Sequence, residues 1–111
     1  MLNGYHLMLG GTLAQLPTVE QLLDTLGRLV SATGLTPISP PIASVRGEDY
    51  SAFVMIAESH ISIHGKDKMA VVDVFSCRVF DPDGMKQHLE DQLGGVWQEQ
   101  AFMWRSGFAN G

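Results

Sequence analysis

One cysteine, Cys77, is all that the chain of 111 residues contains, so no disulfide can close within it and a reducing compartment suits it. Cations are scarce: seven Lys and Arg stand against twelve Asp and Glu, for a formal charge of −5. With so few basic residues and no cluster of them, the sequence argues against a nucleic-acid partner held through its phosphates. No apolar run approaches the roughly 18 residues of a membrane span. The start, Met1-Leu2-Asn3-Gly4-Tyr5-His6, lacks the basic and then long apolar pattern of an export signal. Together these absences predict a cytoplasmic protein that acts away from membranes. Hydrophobic residues make up 45% of the chain and charged residues only 17%. That balance predicts one domain over residues 1–111, with a core of its own and a surface partly used for association.

The pattern along the chain predicts strand, helix, several strands, helix, strand. Tyr5 to Leu9 reads as a first strand, ended by Gly10-Gly11 as a turn. Thr18 with Gln21 forms a capping box. Behind it Val19, Leu22, Leu23, Leu26, Leu29 and Val30 recur at helical spacing until Gly34 stops the run. Pro37, Pro40 and Pro41 confine any strand in 36–45 to an edge, and Arg46-Gly47-Glu48-Asp49 reads as a turn. Residues 51–57 are small or apolar at successive positions, which predicts a strand covered on both faces. Gly65-Lys66-Asp67-Lys68 reads as a turn and 69–77 as a valine-rich strand with Asp73 and Cys77 on one face. Asp81-Pro82 opens a second helix with the stripe Met85, Leu89 and Leu93, Gly94-Gly95 ends it, and Val96 to Trp104 closes the chain as a strand. The expected fold class is α+β, a two-layer sandwich of a mainly antiparallel sheet with two helices on one face.

Between the two central strands lies Ala57-Glu58-Ser59-His60-Ile61-Ser62-Ile63-His64, a polar kink in an apolar ribbon. His60, Ser62 and His64 share one face of the extended segment 60–64, and Ile61 and Ile63 the other. His60 and His64 lie about 13 Å apart in extended chain, too far for one metal, and with no further ligand cluster no metal site is expected. A serine behind a glutamate has a different use, because its hydroxyl can attack the carbonyl of the preceding peptide bond. The resulting ester loses the serine α-proton to a base, β-elimination cuts the chain, and hydrolysis leaves an N-terminal pyruvoyl group. Such a ketone forms Schiff bases with amines and serves as an electron sink for decarboxylation. His64 suits the base near neutral pH, with a core histidine donating to a carbonyl as the alternative. Cys77 reads as a small buried apolar residue or, if partly exposed, as a proton donor.

The run Phe53-Val54-Met55-Ile56-Ala57-Glu58-Ser59-His60-Ile61-Ser62-Ile63-His64, followed by Ala70-Val71-Val72-Asp73-Val74-Phe75-Ser76-Cys77, resembles the prokaryotic S-adenosylmethionine decarboxylases. The likeness covers the chain in length and element order and is specific over about residues 51–77. It implies cleavage between Glu58 and Ser59, with Ser59 becoming the pyruvoyl cofactor. It further implies that Ser51 and His64 assist processing and that Cys77 returns a proton to the α-carbon of the substrate. The implied protein is a homodimeric enzyme of polyamine synthesis with the same two-layer architecture, acting on a small amino-acid-type molecule.

The chain departs from the family where the substrate nucleoside would bind. Val45 stands where an adenine-stacking phenylalanine is usual. Gly65-Lys66-Asp67-Lys68 replaces Thr-Trp-Pro-Glu, leaving Asp67 as a shifted substitute for a ribose-binding glutamate, and Leu9-Gly10 stands where an acidic residue is common. Val45 and Asp67 are the candidate substrate-binding positions. Loss of a stacking ring and of a carboxylate weakens adenosine recognition more than it touches the reactive groups. Two alternatives follow: a pyruvoyl-dependent decarboxylase of a small amino acid such as ornithine or arginine, and a non-cleaving, non-catalytic member that serves as a binding or partner subunit.

Overall fold

The computed structural model describes residues 3–107. In chain order the elements are β1 (Asn3–Thr12), α1 (Val19–Thr33), β2 (Ile42–Arg46), β3 (Asp49–Ile56), β4 (Ser59–Lys66), β5 (Met69–Ser76), α2 (Pro82–Leu93) and β6 (Val96–Ser106). The strands form one sheet in the order β2-β3-β4-β5-β1-β6, and every neighbouring pair is antiparallel. Short hairpins join β2 through β5. The two long connections, β1 to β2 and β5 to β6, carry the helices, which both pack on the same face. This is the expected α+β two-layer arrangement.

Local chemistry fixes the helix ends. The Thr18 hydroxyl accepts the Gln21 N–H and the Gln21 side chain accepts the Thr18 N–H, closing the capping box that opens α1. Gly34 ends α1 in the left-handed region at φ 72°. Asp81 caps α2 with Pro82 in its first turn. Leu22, Leu26 and Leu29 of α1 and Met85 and Leu89 of α2 are wholly buried against Leu7, Ile61, Ile63, Val72 and Val74 of the sheet. The burial of these side chains, each worth about 1.5–3 kcal/mol, holds the two layers together.

The helices cover only one face of the sheet. In β3, Tyr50, Ala52, Val54 and Ile56 are buried while Ser51 and Met55 are exposed and Phe53 is half-buried. The expectation of a strand covered on both sides is therefore corrected: strict alternation turns the odd positions to a face that nothing among the described residues covers. Two predicted turns are also strand. β1 runs through Gly10 and Gly11, and β4 runs through Gly65 to Lys66. Side chains of the neighbouring strands lie across these glycines, so a Cβ at Gly11 would sit 2.3 Å from the Trp97 ring and one at Gly65 would sit 2.1 Å from the Tyr50 ring. Glycine here marks close approach of a side chain to backbone rather than chain reversal.

Candidate active site

The β3–β4 hairpin turns at Ala57-Glu58, with Ala57 in the left-handed region at φ 47°. Glu58 is exposed at its tip, and Ser59 follows as the first residue of β4, only 3% exposed. Alternation along β4 gives Ser59 the helix-side parity of Ile61 and Ile63. Its Oγ accepts the backbone N–H of Cys77 at 2.9 Å. Cys77 lies just beyond the end of β5 with its side chain partly exposed. The Glu58–Ser59 bond, the candidate for cleavage, and Cys77, the candidate proton donor, thus meet at one end of the sheet.

Ser51 and His64 meet elsewhere. They are register partners across β3 and β4, both on the open face, and Ser51 Oγ lies 2.9 Å from His64 Nδ1. When Nδ1–H donates to the serine, Nε2 is left as a free base; in the other tautomer the hydroxyl donates and Nε2 carries the proton. Five residues of extended strand place His64 roughly 16 Å along β4 from Ser59. An apolar pocket of about 190 Å³ beside the pair is lined by Ile42, Ala43, Ser44, Ala52 and Phe53.

The two candidate substrate-binding positions lie at the same end as Ser51 and His64. Val45 pairs with Tyr50 and packs against the core on the helix side, away from the open face. Asp67, at φ 53° in the β4–β5 turn, donates its N–H to the Glu48 carbonyl at 2.8 Å. It lies roughly 25 Å along the strand from Ser59. Its carboxylate adds to burial, the larger cause, in raising the Tyr50 pKa. The sequence-predicted residues therefore fall into two sets, Glu58, Ser59 and Cys77 at one end and Ser51, His64, Val45 and Asp67 toward the other.

Sequence reading missed the row of rings that crosses the open face toward its Glu58–Ser59 end. Phe53, His60 and Phe75 stack at centroid separations of 5.9 and 5.7 Å, and His6 meets Phe75 edge-on at 6.2 Å. Arg105 lies over the same Phe75 ring at 5.9 Å. The signal was the shared parity of these positions once strand order is known, which a single sequence does not supply. His6 Nε2 is buried with no hydrogen-bond partner among the described residues, 3.7 Å from the Asp73 carboxylate. Among the described residues no group of three or more His, Cys, Asp or Glu side chains is placed to hold a metal, and no helix is long and apolar enough to cross a membrane.

Burial, and secondarily the neighbouring His6, lowers the His60 pKa below the ordinary 6.5, while Asp73 pulls the other way. The folded chain therefore binds fewer protons at His60 than the unfolded chain does. The stabilisation is complete above the ordinary histidine value and is lost as pH falls through the lowered one. Denaturant midpoints measured from pH 7.5 down to pH 5 should fall, and His60→Leu should flatten part of that slope. A slope identical in the two proteins would remove His60 as its source.

The sequence profile of the family described as S-adenosylmethionine decarboxylase matches residues 8–106. The chain is 30% identical over 97 residues to the S-adenosylmethionine decarboxylase proenzyme of Clostridium botulinum strain Loch Maree, an alignment covering 82% of this chain and 84% of the relative. The proenzymes of strains Hall and Okra are 29% and 28% identical over the same length.

Proposed function

Because the chain belongs to the S-adenosylmethionine decarboxylase family, we propose that it is a proenzyme that cuts itself between Glu58 and Ser59 and then decarboxylates S-adenosylmethionine through the pyruvoyl group so formed. The observation that carries this reading is the Ser59 hydroxyl, buried at the foot of a hairpin whose tip is exposed and fixed by the Cys77 N–H. A serine held this way, one bond from a glutamate carbonyl, has the atoms that the acyl shift needs. The ketone supplies an amine-binding electron sink for the loss of CO₂. Cys77, partly exposed beside it, holds the thiol that returns a proton. Ornithine or arginine as substrate, and a non-cleaving binding subunit, are not favoured by relatives whose names are those of S-adenosylmethionine decarboxylase proenzymes.

The functional unit in this reading is a symmetric dimer. His64 cannot reach the Ser59 α-proton of its own chain, being roughly 16 Å away along the strand. The open face offers Met55, Met69 and Val71, each 45–68% exposed, together with the row of rings. A second copy laid on this face, with the two-fold axis running between the sheets and across the strands, brings the Ser51–His64 end of each chain toward the Glu58–Ser59 end of the other. One such dimer holds two composite sites, and it covers the apolar area left bare on the monomer.

The test is release of CO₂ from carboxyl-labelled S-adenosylmethionine by fully cleaved protein. Release is expected, and Cys77→Ala, if its thiol is the proton donor, should turn over slower by about 10²-fold or more. No release from cleaved protein at saturating substrate overturns the decarboxylase reading, and an unchanged rate in Cys77→Ala removes the thiol from its role.

A further inference from the structure

β5 alternates so that Ala70, Val72 and Val74 face the helices, and the next position of that series is Ser76, a polar residue that is 0% exposed. An apolar side chain there would continue the core, so the hydroxyl calls for a reason. Its bonds supply one. Ser76 Oγ donates to the Arg78 carbonyl at 2.7 Å and accepts the Arg78 N–H at 3.1 Å, so one side chain clamps both backbone groups of the residue two positions on. The residue enclosed by that clamp is Cys77, whose own N–H is left pointing at Ser59 Oγ. The far side is tied down as well, since the Arg78 guanidinium donates to the Gly34 carbonyl, the C-cap of α1, at 3.2 Å.

We propose that Ser76 is a positioning residue for self-cleavage: its hydroxyl folds the chain around Cys77 and so aims the Cys77 N–H at the oxygen that attacks and later leaves. This rests on the self-cleavage reading above. In the acyl shift Ser59 Oγ bonds to the Glu58 carbonyl carbon, the C–N bond breaks, and the hydroxyl proton ends on the freed Ser59 nitrogen. In the elimination a base takes the Ser59 α-proton and the Cβ–Oγ bond breaks. Oγ then departs within the Glu58 carboxylate. The new N-terminal dehydroalanine isomerises, takes up water and loses ammonia, leaving the ketone. Oγ is thus the nucleophile in the first step and part of the leaving group in the second. A donor fixed on it directs its lone pairs at the start and meets rising negative charge at the elimination, where a preorganised N–H contributes most. Without the Ser76 clamp the Cys77 amide is free to swing away, and a small displacement of a positioned group is costly.

The experiment follows fragment formation by mass in wild type, Ser76→Ala and Ser76→Thr. In parallel, hydrogen exchange at the Cys77 amide is measured in the His64→Ala background, which keeps the chain whole. Ser76→Ala should cleave about 10-fold slower or more and exchange the Cys77 amide faster, and Ser76→Thr, which restores the hydroxyl, should recover both. Val74→Ala, equally buried on the same face, should lower the denaturation midpoint and leave the cleavage rate of the folded protein unchanged. Wild-type cleavage in Ser76→Ala, or an unchanged Cys77 exchange rate, overturns the inference. A wild-type chain that never cleaves brings down the self-cleavage reading instead, and the exchange rates then still decide whether Ser76 sets the Cys77 amide.

Discussion

Freshly purified protein, left near neutral pH, should turn into two fragments of residues 1–58 and 59–111, the second carrying a ketone in place of its α-amino group, while Ser59→Ala stays whole indefinitely. The contrast is all or none because alanine has no oxygen to accept the Glu58 acyl group, and no other hydroxyl in the described residues is bonded at the Cys77 amide. Ser59→Ala should also fold, since it removes one oxygen from a buried site and leaves the hairpin intact. The loss of the bond to the Cys77 N–H should cost about 1–3 kcal/mol, readable as a lower denaturation midpoint. Intact-mass spectra over days and over a range of pH decide the matter. Wild type that remains a single species throughout would falsify self-cleavage.

The second large effect comes from the separation between Ser59 and His64. His64→Ala alone should barely cleave, because a positioned general base is worth about 10²–10⁴-fold. Ser59→Ala alone should not cleave at all. Unfolded together in equal amounts and refolded, the two should regain activity in mixed dimers, where the serine of the His64→Ala chain faces the intact histidine of its partner. Only the His64→Ala chain should be cut, to a plateau of about half, the share that random pairing places in mixed dimers. A tag that alters the mass of one chain identifies which was cut. If His64 acted on its own chain, the mixture would stay as inert as its components, so an uncut mixture whose dimers have demonstrably exchanged would sink the composite site.

The sequence made the elements and the reactive residues legible, but not their arrangement across the sheet. Helix α1 was readable because its capping box, leucine stripe and terminal glycine all agree. The residues 51–57 misled because Phe53 and Met55 are as apolar as the Val54 and Ile56 beside them, and side-chain type does not reveal which face stays bare. Gly10, Gly11 and Gly65 looked like turns for a related reason: glycine signals chain reversal and close packing alike, and only the Trp97 and Tyr50 rings lying over Gly11 and Gly65 tell the two apart. Ser51, Ser59, His64 and Cys77 were all named from sequence. That Ser59 and Cys77 form one pair and Ser51 and His64 another depends on cross-strand register, which is a tertiary property.

Strand order also decides what the cut does to the molecule. The cut would leave β1, α1, β2 and β3 on the first fragment and β4, β5, α2 and β6 on the second, yet β1 lies between β5 and β6. The first fragment is therefore threaded through the sheet of the second, and neither can depart while the sheet persists. Unfolding separates an uncut dimer into two chains but a dimer of cut chains into four fragments. The midpoint of the processed protein should accordingly climb more steeply with concentration than that of uncut Ser59→Ala, and refolding of each protomer gains a bimolecular step, so that a chain once cleaved and denatured reassembles slowly if at all. Folding has to precede the cut, and the order of the two events is written into the place of β1 in the sheet.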